Sequence, residues 1–467
     1  MKKENRITKT QRIKINFIES PTTDWTEFDN IFNLLQKETI TASNKIISIF
    51  NAYNAFGKEE GDKWIEQKYN SKIRNAAYKV AREHCLLQYS GSACMVSDHL
   101  YKTYFSGQNS WKKKIEKGEG NPPMTFTDKI PLKVRGDHTK IECIDKTKGY
   151  YLFTSSFLSP YAKDNMEYIQ KYQDEEENWK RKKVKININS TRLSFRFTVK
   201  RNANLEKLID KLMDDSSGYK IGDSQLTRKK NKKTKLWEYY FMLSYSYGVK
   251  DPIRELLPDR VMGIDLGIKV PIYATINDKS WLKLKYGNNR IHKKAIRDIR
   301  ERAKHQSEIT YNLRDGHGRK HKLDEYNGLD NKTSNMMNTY NHVLAHHLIM
   351  DALKYQCSRI RMEDLTGLTK KEKDNLFLRY WTYSDLQDKI INKAAEYGII
   401  VEKVNRFGTS QTCPCCGYKD KANRPKGKWG QAYFKCIECG YEDNADHVAA
   451  INICRSEPLK GKIYNAF

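Results

Sequence analysis

Apolar and polar residues alternate over 12–18 (RIKINFI), which predicts a half-buried strand. From Thr26 to about Lys117 the period lengthens to that of helices, as in FDNIFNLLQKETITASNKIISIFNAY and DKWIEQKYNSKIRNAAYKVAREH. The stretch GEGNPPMTFTDKIPLKV interrupts them with Gly and Pro and returns the chain to strands. The charge run QDEEENWKRKK reads as a solvated turn or helix end. Beyond it VKININ and LSFRFTV read as strands, NLEKLIDKLM as a short helix, and YKIGDSQLTRKK and LWEYYFMLSYSY as arms of a hairpin across NKKTK. This order implies an interrupted β-barrel with a helical insertion after its first strand.

The pattern changes at Pro258. RVMGIDLGIKVPIYATI predicts strand, turn and strand, the opening of an α/β layer. A basic helical stretch follows (IHKKAIRDIRERAKHQSEITYNL), then HVLAHHLIMDALKYQC leading into a strand SRIRME. TYSDLQDKIINKAAEYG reads as a helix before a strand IIVEKV, and HVAAINI as a closing helix. No internal repeat is visible.

At 467 residues the chain is longer than one compact domain usually holds. Lys and Arg number 85 against 57 Asp and Glu, a net charge of +28 that attracts polyanions, nucleic acid foremost. A membrane surface is the competing partner. No long uncharged apolar run is present, and MKKENRITKTQR lacks the apolar core of a signal peptide, so a soluble intracellular chain with no membrane contact is expected.

Ten cysteines in such a chain do not make a secreted disulfide scaffold. Cys413, Cys416, Cys436 and Cys439 form two C-x-x-C pairs separated by a short basic loop, the donor set of a structural tetrahedral zinc. Cys85 and Cys94, with His84 and His99 nearby, imitate a second site, but their irregular spacing favours ordinary burial. Asp265 closes an apolar strand just before Leu266-Gly267, and Glu363 ends SRIRM in the same way. A carboxylate there either faces a site or is costly to bury unpaired. Asp364 reads as a cap for the next turn. Asp446 opens the last helix, where an N-cap role competes with a site role and Asp443 competes for either. Each acid alone is better explained structurally. Together, at a first strand, a later strand end and a final helix start, they suit an RNase H-like sheet gathering carboxylates around two magnesium ions.

In this order GIDLG, RMEDLTGL, TSQTCPCCGYKD and CIECGYEDNADHVAAINI resemble the RuvC nuclease of the TnpB transposon-associated proteins and of their descendants, the miniature type V CRISPR effectors. The resemblance covers roughly residues 258–455. It implies a multidomain α+β chain: a β-barrel wedge domain (1–25 and 180–257), a helical recognition lobe with its linker (26–179), an RNase H-like α/β RuvC domain (258–404), an inserted zinc ribbon (405–445), and a closing helix and tail (446–467). It makes Asp265, Glu363 and Asp446 the catalytic acids holding two Mg2+, with one structural Zn2+ on the four cysteines. Arg424, between the cysteine pairs, falls where such nucleases place a lid arginine on the scissile phosphate; a solvated ribbon loop is its other reading. GEGNPPMTFTDKIPL is similar to a stretch before an Ile-Pro strand in the miniature effectors, while an N-terminal zinc finger found in some relatives is missing.

The implied partners are a guide RNA and double-stranded target DNA, with two protein copies on one guide RNA possible at this size. Lys112, Lys113, Lys114, Arg181, Lys182, Lys183, Arg228, Lys229 and Lys230 are candidate phosphate contacts, each set against a solvated face. The implied function is an RNA-guided DNA endonuclease of CRISPR defence, acting in the prokaryotic cytoplasm. A TnpB-type transposon nuclease, an RNA-guided binder without cleavage and a guide-free junction-resolving nuclease are the alternatives. The intact acid triplet argues against the second, and the large basic first half against the third.

Overall fold

The computed structural model describes residues 6–56, 71–116, 130–173, 179–200, 202–231, 234–251, 254–267, 269–311, 319–365, 382–425 and 432–465. Within the helices, the side chains of 52–56, 71–72, 105–116, 305–306 and 308–331 also lie outside the described residues. The chain divides into two compact units, Arg6–Gly248 and Val249–Phe467 with the first five residues.

The first unit is built on alternation. β1 (Arg6–Lys14) pairs with β10 (Trp237–Gly248), which pairs with β9 (Lys220–Lys230) and through it with β3 (Leu132–Val134), all antiparallel. A second sheet orders β2 (Phe17–Ser20), β8 (Arg192–Thr198), β5 (Tyr150–Ser156) and β4 (Lys140–Asp145). At the junction of β1 and β2, Ile15 N–H donates to Tyr239 O at 3.0 Å and Asn16 N–H to Arg196 O at 2.9 Å, so one strand passes from sheet to sheet. Period-two side chains from both sheets (Ile13, Phe153, Phe195, Phe241, Leu243) meet in one core.

α1 (Trp25–Phe56) starts at Asp24, whose Oδ1 accepts the amides of Thr26 and Glu27. Its buried stripe Phe28, Ile31, Phe32, Leu35 joins the sheet core, and about three turns further Ile46, Ile47 and Phe50 enter a separate cluster. There they meet α2 (Ser71–His84) and α3 (Ser90–Glu116) through Ile73, Ala77, Ala81, Val96 and Leu100. A further helix, α4 (Ala203–Met213), matches the sequence expectation and is capped by Asn202.

From Leu132 onward the described part of 26–179 is mostly strand, with a short helix at Ala162–Asn165 and β6 (Glu167–Gln173) pairing β7 (Trp179–Lys185) across the acidic run. The described part of the run QDEEENWKRKK is strand on both flanks and not a helix end; 174–178 lie outside the described residues. So do GEGNPPMTFTD and the side chains of Lys112, Lys113 and Lys114. Arg181, Lys182 and Lys183 stand exposed on β7, and Lys229 and Lys230 at the end of β9. Arg228 is different: its guanidinium pairs with Asp29, donates to Asn33 Oδ1 at 2.6 Å and lies over Phe32 and Trp237 at 4.6 and 4.2 Å. It is an internal strut, not a phosphate contact. Cys85 is a packed thiol, pushed up to about 12 by burial, and Cys94 is half-buried beside it.

The second unit is a mixed sheet ordered β13-β12-β11-β14-β15-β18. β11 (Leu257–Asp265) pairs antiparallel with β12 (Ile272–Ile276), and β12 with β13 (Lys279–Tyr286). β14 (Cys357–Glu363) and β15 (Ile400–Val404) run parallel to β11. α5 (Arg290–Tyr311), α6 (Arg319–Lys354) and α7 (Tyr383–Ala395) connect them. Leu344, Leu348, Ile349, Leu386 and Ile390 cover one face of the sheet. The short β16 (Tyr433–Lys435) and β17 (Glu442–Asn444) form a ribbon before α8 (Ala445–Arg455). The expected tail is instead β18 (Pro458–Tyr464), an edge strand antiparallel to β15. β13 was also unforeseen, although Leu282, Leu284 and Tyr286 alternate plainly with Lys283 and Lys285. Among the described residues no helix is long and apolar enough to cross a membrane.

Candidate functional site

β11 and β14 end side by side: Ile264 is in register with Met362, so the next residues, Asp265 and Glu363, are neighbours at the C-terminal edge of a parallel pair. α8 brings the third acid. It packs on β11 at Gly263, where a Cβ would come within 2.6 Å of Cys454 Sγ; only glycine lets the helix lie this close. The same approach leaves Asp446 Oδ2 3.6 Å from where a Cβ on Gly267 would stand. The helix is capped by Asn444, whose side chain accepts the Asp446 amide at 2.9 Å. Asp446 therefore need not cap the helix, and its carboxylate is turned to the cluster.

Asp443 takes the structural role. It pairs with Lys283 and accepts from Tyr441 OH at 3.1 Å, and lies 2.6 Å from His447 Nδ1. Burial raises its pKa, but Lys283, His447 and the Asn444 amide outweigh this and hold it at about 2. Asp364 donates its amide to Val404 O at 2.9 Å and stays outside the cluster.

All three acids are raised, and Asp265 feels the other two. Burial and then the charges of Glu363 and Asp446 push Asp265 well above the usual carboxylate range, while Arg424 opposes the shift. Burial raises Glu363, against a hydrogen bond from Thr409 and the charge of Arg406. Asp446 is raised by burial and held back by Arg424, Lys269 and Lys285. Carboxylates raised by desolvation, and at Asp265 also by neighbouring charge, are relieved by a hard cation, so the donor set fits a divalent ion with oxygen preference. Glu363 is fixed from two sides: Gln387 on α7 donates to its main-chain oxygen at 2.8 Å, and Thr409 Oγ1 donates to Oε1. Tyr383, whose hydroxyl pKa is raised first by burial and then by Asp265 and Glu363, lines the same place.

Arg424 is reached through the cysteine cluster. Cys413 and Cys439 Sγ lie 3.5 Å apart, and Cys416 and Cys436 Sγ 3.6 Å. Thiolates around a tetrahedral ion at about 2.3 Å stand about 3.8 Å apart, whereas a disulfide needs about 2.05 Å. The four ligand atoms all lie within 4.8 Å of one another, and among the described residues no other group is gathered this way, the acids included. Each knuckle closes on a glycine at positive φ, Gly417 (77°) and Gly440 (75°), with its amide on the carbonyl of Cys413 or Cys436. The buried Asn423 ties the knuckles together: it donates to Gln411 O at 2.9 Å and accepts the Ile437 amide at 3.0 Å. The next residue is Arg424, whose pKa burial lowers and whose charge Asp446 and Asp265 favour. Its side chain is half-buried, with a guanidinium nitrogen 3.5 Å from Ser410 O.

The sheet also carries a row of basic side chains beside the cluster. Asp265 pairs with Tyr273, and Tyr273 with Lys285, whose Nζ stands 5.3 Å from the Tyr273 ring centroid. Lys279, Trp281 and Lys283 continue the outer face of β13, with Trp281 73% exposed. Gln387, Thr409, Tyr383 and Asn423 had no expected role. Thr409 sits inside the motif TSQTC, and Tyr383 and Gln387 inside the segment read as a helix.

Residues 383–453 match the family model described as Cas12f1-like, TNB domain. The chain is 30% identical over 439 residues to the CRISPR-associated endodeoxyribonuclease Cas12f1 of Sulfoacidibacillus thermotolerans, covering 92% of this chain and 93% of that one. The chain belongs to the Cas12f1 family. It is also 32% identical over 358 residues to the Cas12f1 of Syntrophomonas palmitatica, across 76% of this chain and 65% of the relative. A Cas12f1 solved in complex with sgRNA and target DNA has the same overall fold, with a TM-score of 0.67 at 20% identity, covering 96% of this chain and 99% of that one. A multidomain α+β effector of the miniature type V and TnpB-like kind is thus what the chain is.

Proposed function

We propose that this chain is an RNA-guided DNA endonuclease of CRISPR defence, cutting both strands of a double-stranded target at one site formed by Asp265, Glu363 and Asp446. The observation that carries this is the convergence of three acids from β11, β14 and α8, each with its pKa raised, with the charge of Arg424 acting on two of them. The Cas12f1 match along 92% of the chain, its first half included, favours this over a TnpB-type transposon nuclease.

In this reading the second unit is the RuvC nuclease with its ribbon, and the first is the wedge barrel with the recognition helices. Asp265, Glu363 and Asp446 would hold two Mg2+, which would supply Lewis-acid activation of water and charge neutralisation at the scissile phosphate. Gln387 and Thr409 keep the Glu363 carboxylate facing the phosphate. Arg424 meets the negative charge that grows on the phosphate in the transition state. One Zn2+ on Cys413, Cys416, Cys436 and Cys439 holds the loop that carries Arg424. The guide RNA and target DNA are the partners, gripped by shape and phosphate contacts, with Lys279, Lys283 and Lys285 leading a strand along β13. Two copies on one guide RNA is the assembly its size suggests, and the cytoplasm its place of action.

The test is cleavage of a guided target by the RNA-loaded protein and by Asp265→Ala. The variant should bind target and fail to cut; cutting at the wild-type rate would sink the assignment.

A further inference from the structure

Phe407 is 72% exposed, three residues beyond the end of β15, at the same edge of the sheet as Asp265 and Glu363. Single exposed apolar side chains are common. This one is unusual in being held. The Phe407 amide donates to Asn405 Oδ1 at 3.0 Å, and its carbonyl accepts Lys419 Nζ at 3.4 Å. Gly408, at φ 88°, gives its carbonyl to the amides of Gln411 and Thr412, both at 3.0 Å. Thr409 is buried and binds Glu363, and its carbonyl takes Asn452 Nδ2 of α8 at 2.7 Å. The backbone on either side of the ring is therefore tied to the framework of the acid cluster while the ring itself faces water. Arg406, whose charge acts on Glu363, stands 5.2 Å from the centre of that ring.

We propose that Phe407 is a stacking platform for a nucleobase of the DNA strand being cut, next to the phosphate at the acids. This rests on the nuclease reading above. A fixed, exposed aromatic face beside a guanidinium offers a base its π-surface and the adjoining phosphate a counter-charge. The net charge of +28 favours a polyanionic occupant over a protein. Stacking of this kind is indifferent to base identity, which suits an enzyme whose sequence reading is delegated to a guide. Phe407 is thus a positioning residue: it sets where along the strand the phosphate meets Asp265, Glu363 and Asp446.

The test uses the full chain loaded with its guide RNA and target DNA carrying 2-aminopurine at successive positions across the cut. In an Asp265→Ala background, which keeps the DNA whole, one position should be quenched. Phe407→Ala should release that quench and Phe407→Trp should keep it. In the active background Phe407→Ala should raise KM about tenfold or more, or move the cut, with kcat little changed, and Phe407→Trp should restore both. Since the ring is exposed, melting should be unaltered. Fluorescence and KM the same for Phe407→Ala as for wild type would overturn the proposal, as would quenching lost only through unfolding. A wild-type protein that does not cut at all would instead overturn the nuclease reading.

Discussion

The second unit holds two clusters of metal-type donors, and they are built in opposite ways. The thiols come from two short knuckles, each closed on itself by its own glycine and backbone bonds, with Asn423 joining them. The acids come from β11, β14 and α8, nearly the full length of the unit apart, and meet only because a parallel pair is in register and Gly263 admits the helix. A closed local site supplies folding energy, whereas an open distributed one leaves its charges unsatisfied until ligands arrive. Arg424 connects the two, since the ribbon that the thiols fold carries the cation that the acids face.

The contrast breaks first at the acids. Asp265→Ala should lower guided cleavage by at least about 10³-fold, about 4 kcal/mol of transition-state stabilisation, while target binding holds. Cys436→Ser should do the reverse in kind: zinc content falls, the melting temperature falls with it, and cleavage declines only because Arg424 loses its support. A variant that keeps its zinc would refute the ribbon. A scaffold charge offers a third comparison. Glu402 is buried between Arg359 and Arg361, at 3.0 and 2.6 Å, so Glu402→Ala should cost about 3–5 kcal/mol in denaturant unfolding without a specific loss of cutting. Arg424→Ala should slow cutting about 10²-fold with zinc retained, and Arg424→Lys should recover part of that.

The smallest effect is one of pH. Carboxylates whose folded pKa is raised bind protons more readily folded than unfolded, so their contribution to stability is present at low pH and lost as pH rises through the raised values. Without divalent cations, melting of this unit should ease as pH climbs above the ordinary carboxylate range. Mg2+ should flatten that slope, and Asp265→Ala should flatten it without Mg2+. Asp443, held at about 2, acts oppositely, its contribution fading only as pH falls toward 2.

This difference in construction also governs what could be read from the chain. Two C-x-x-C-G knuckles are local, so spacing alone marks Cys413, Cys416, Cys436 and Cys439. Asp265, Glu363 and Asp446 are marked only by their order along the elements, because no local pattern says which strands become neighbours. The choice between Asp443 and Asp446 needed the Asn444 cap and the Lys283 pairing to be seen. β6 and β18 were hidden for a related reason: EYIQKYQ and PLKGKIY bury almost nothing, so lysines, a glutamate and a glycine blur the alternation that one packed face would give. Arg228 shows the converse hazard. In KIGDSQLTRKK it looks like one more solvated cation, but the register of β9 and β10 turns it onto Asp29 and Trp237.

The most direct test is single-turnover cleavage of a guided target by Asp265→Ala, Glu363→Ala, Asp446→Ala and the Asp265→Ala/Asp446→Ala pair in Mg2+. If the three carboxylates act as one site, each single variant loses about as much as the pair. Losses that add, or one acid that can be removed at the wild-type rate, would contradict it.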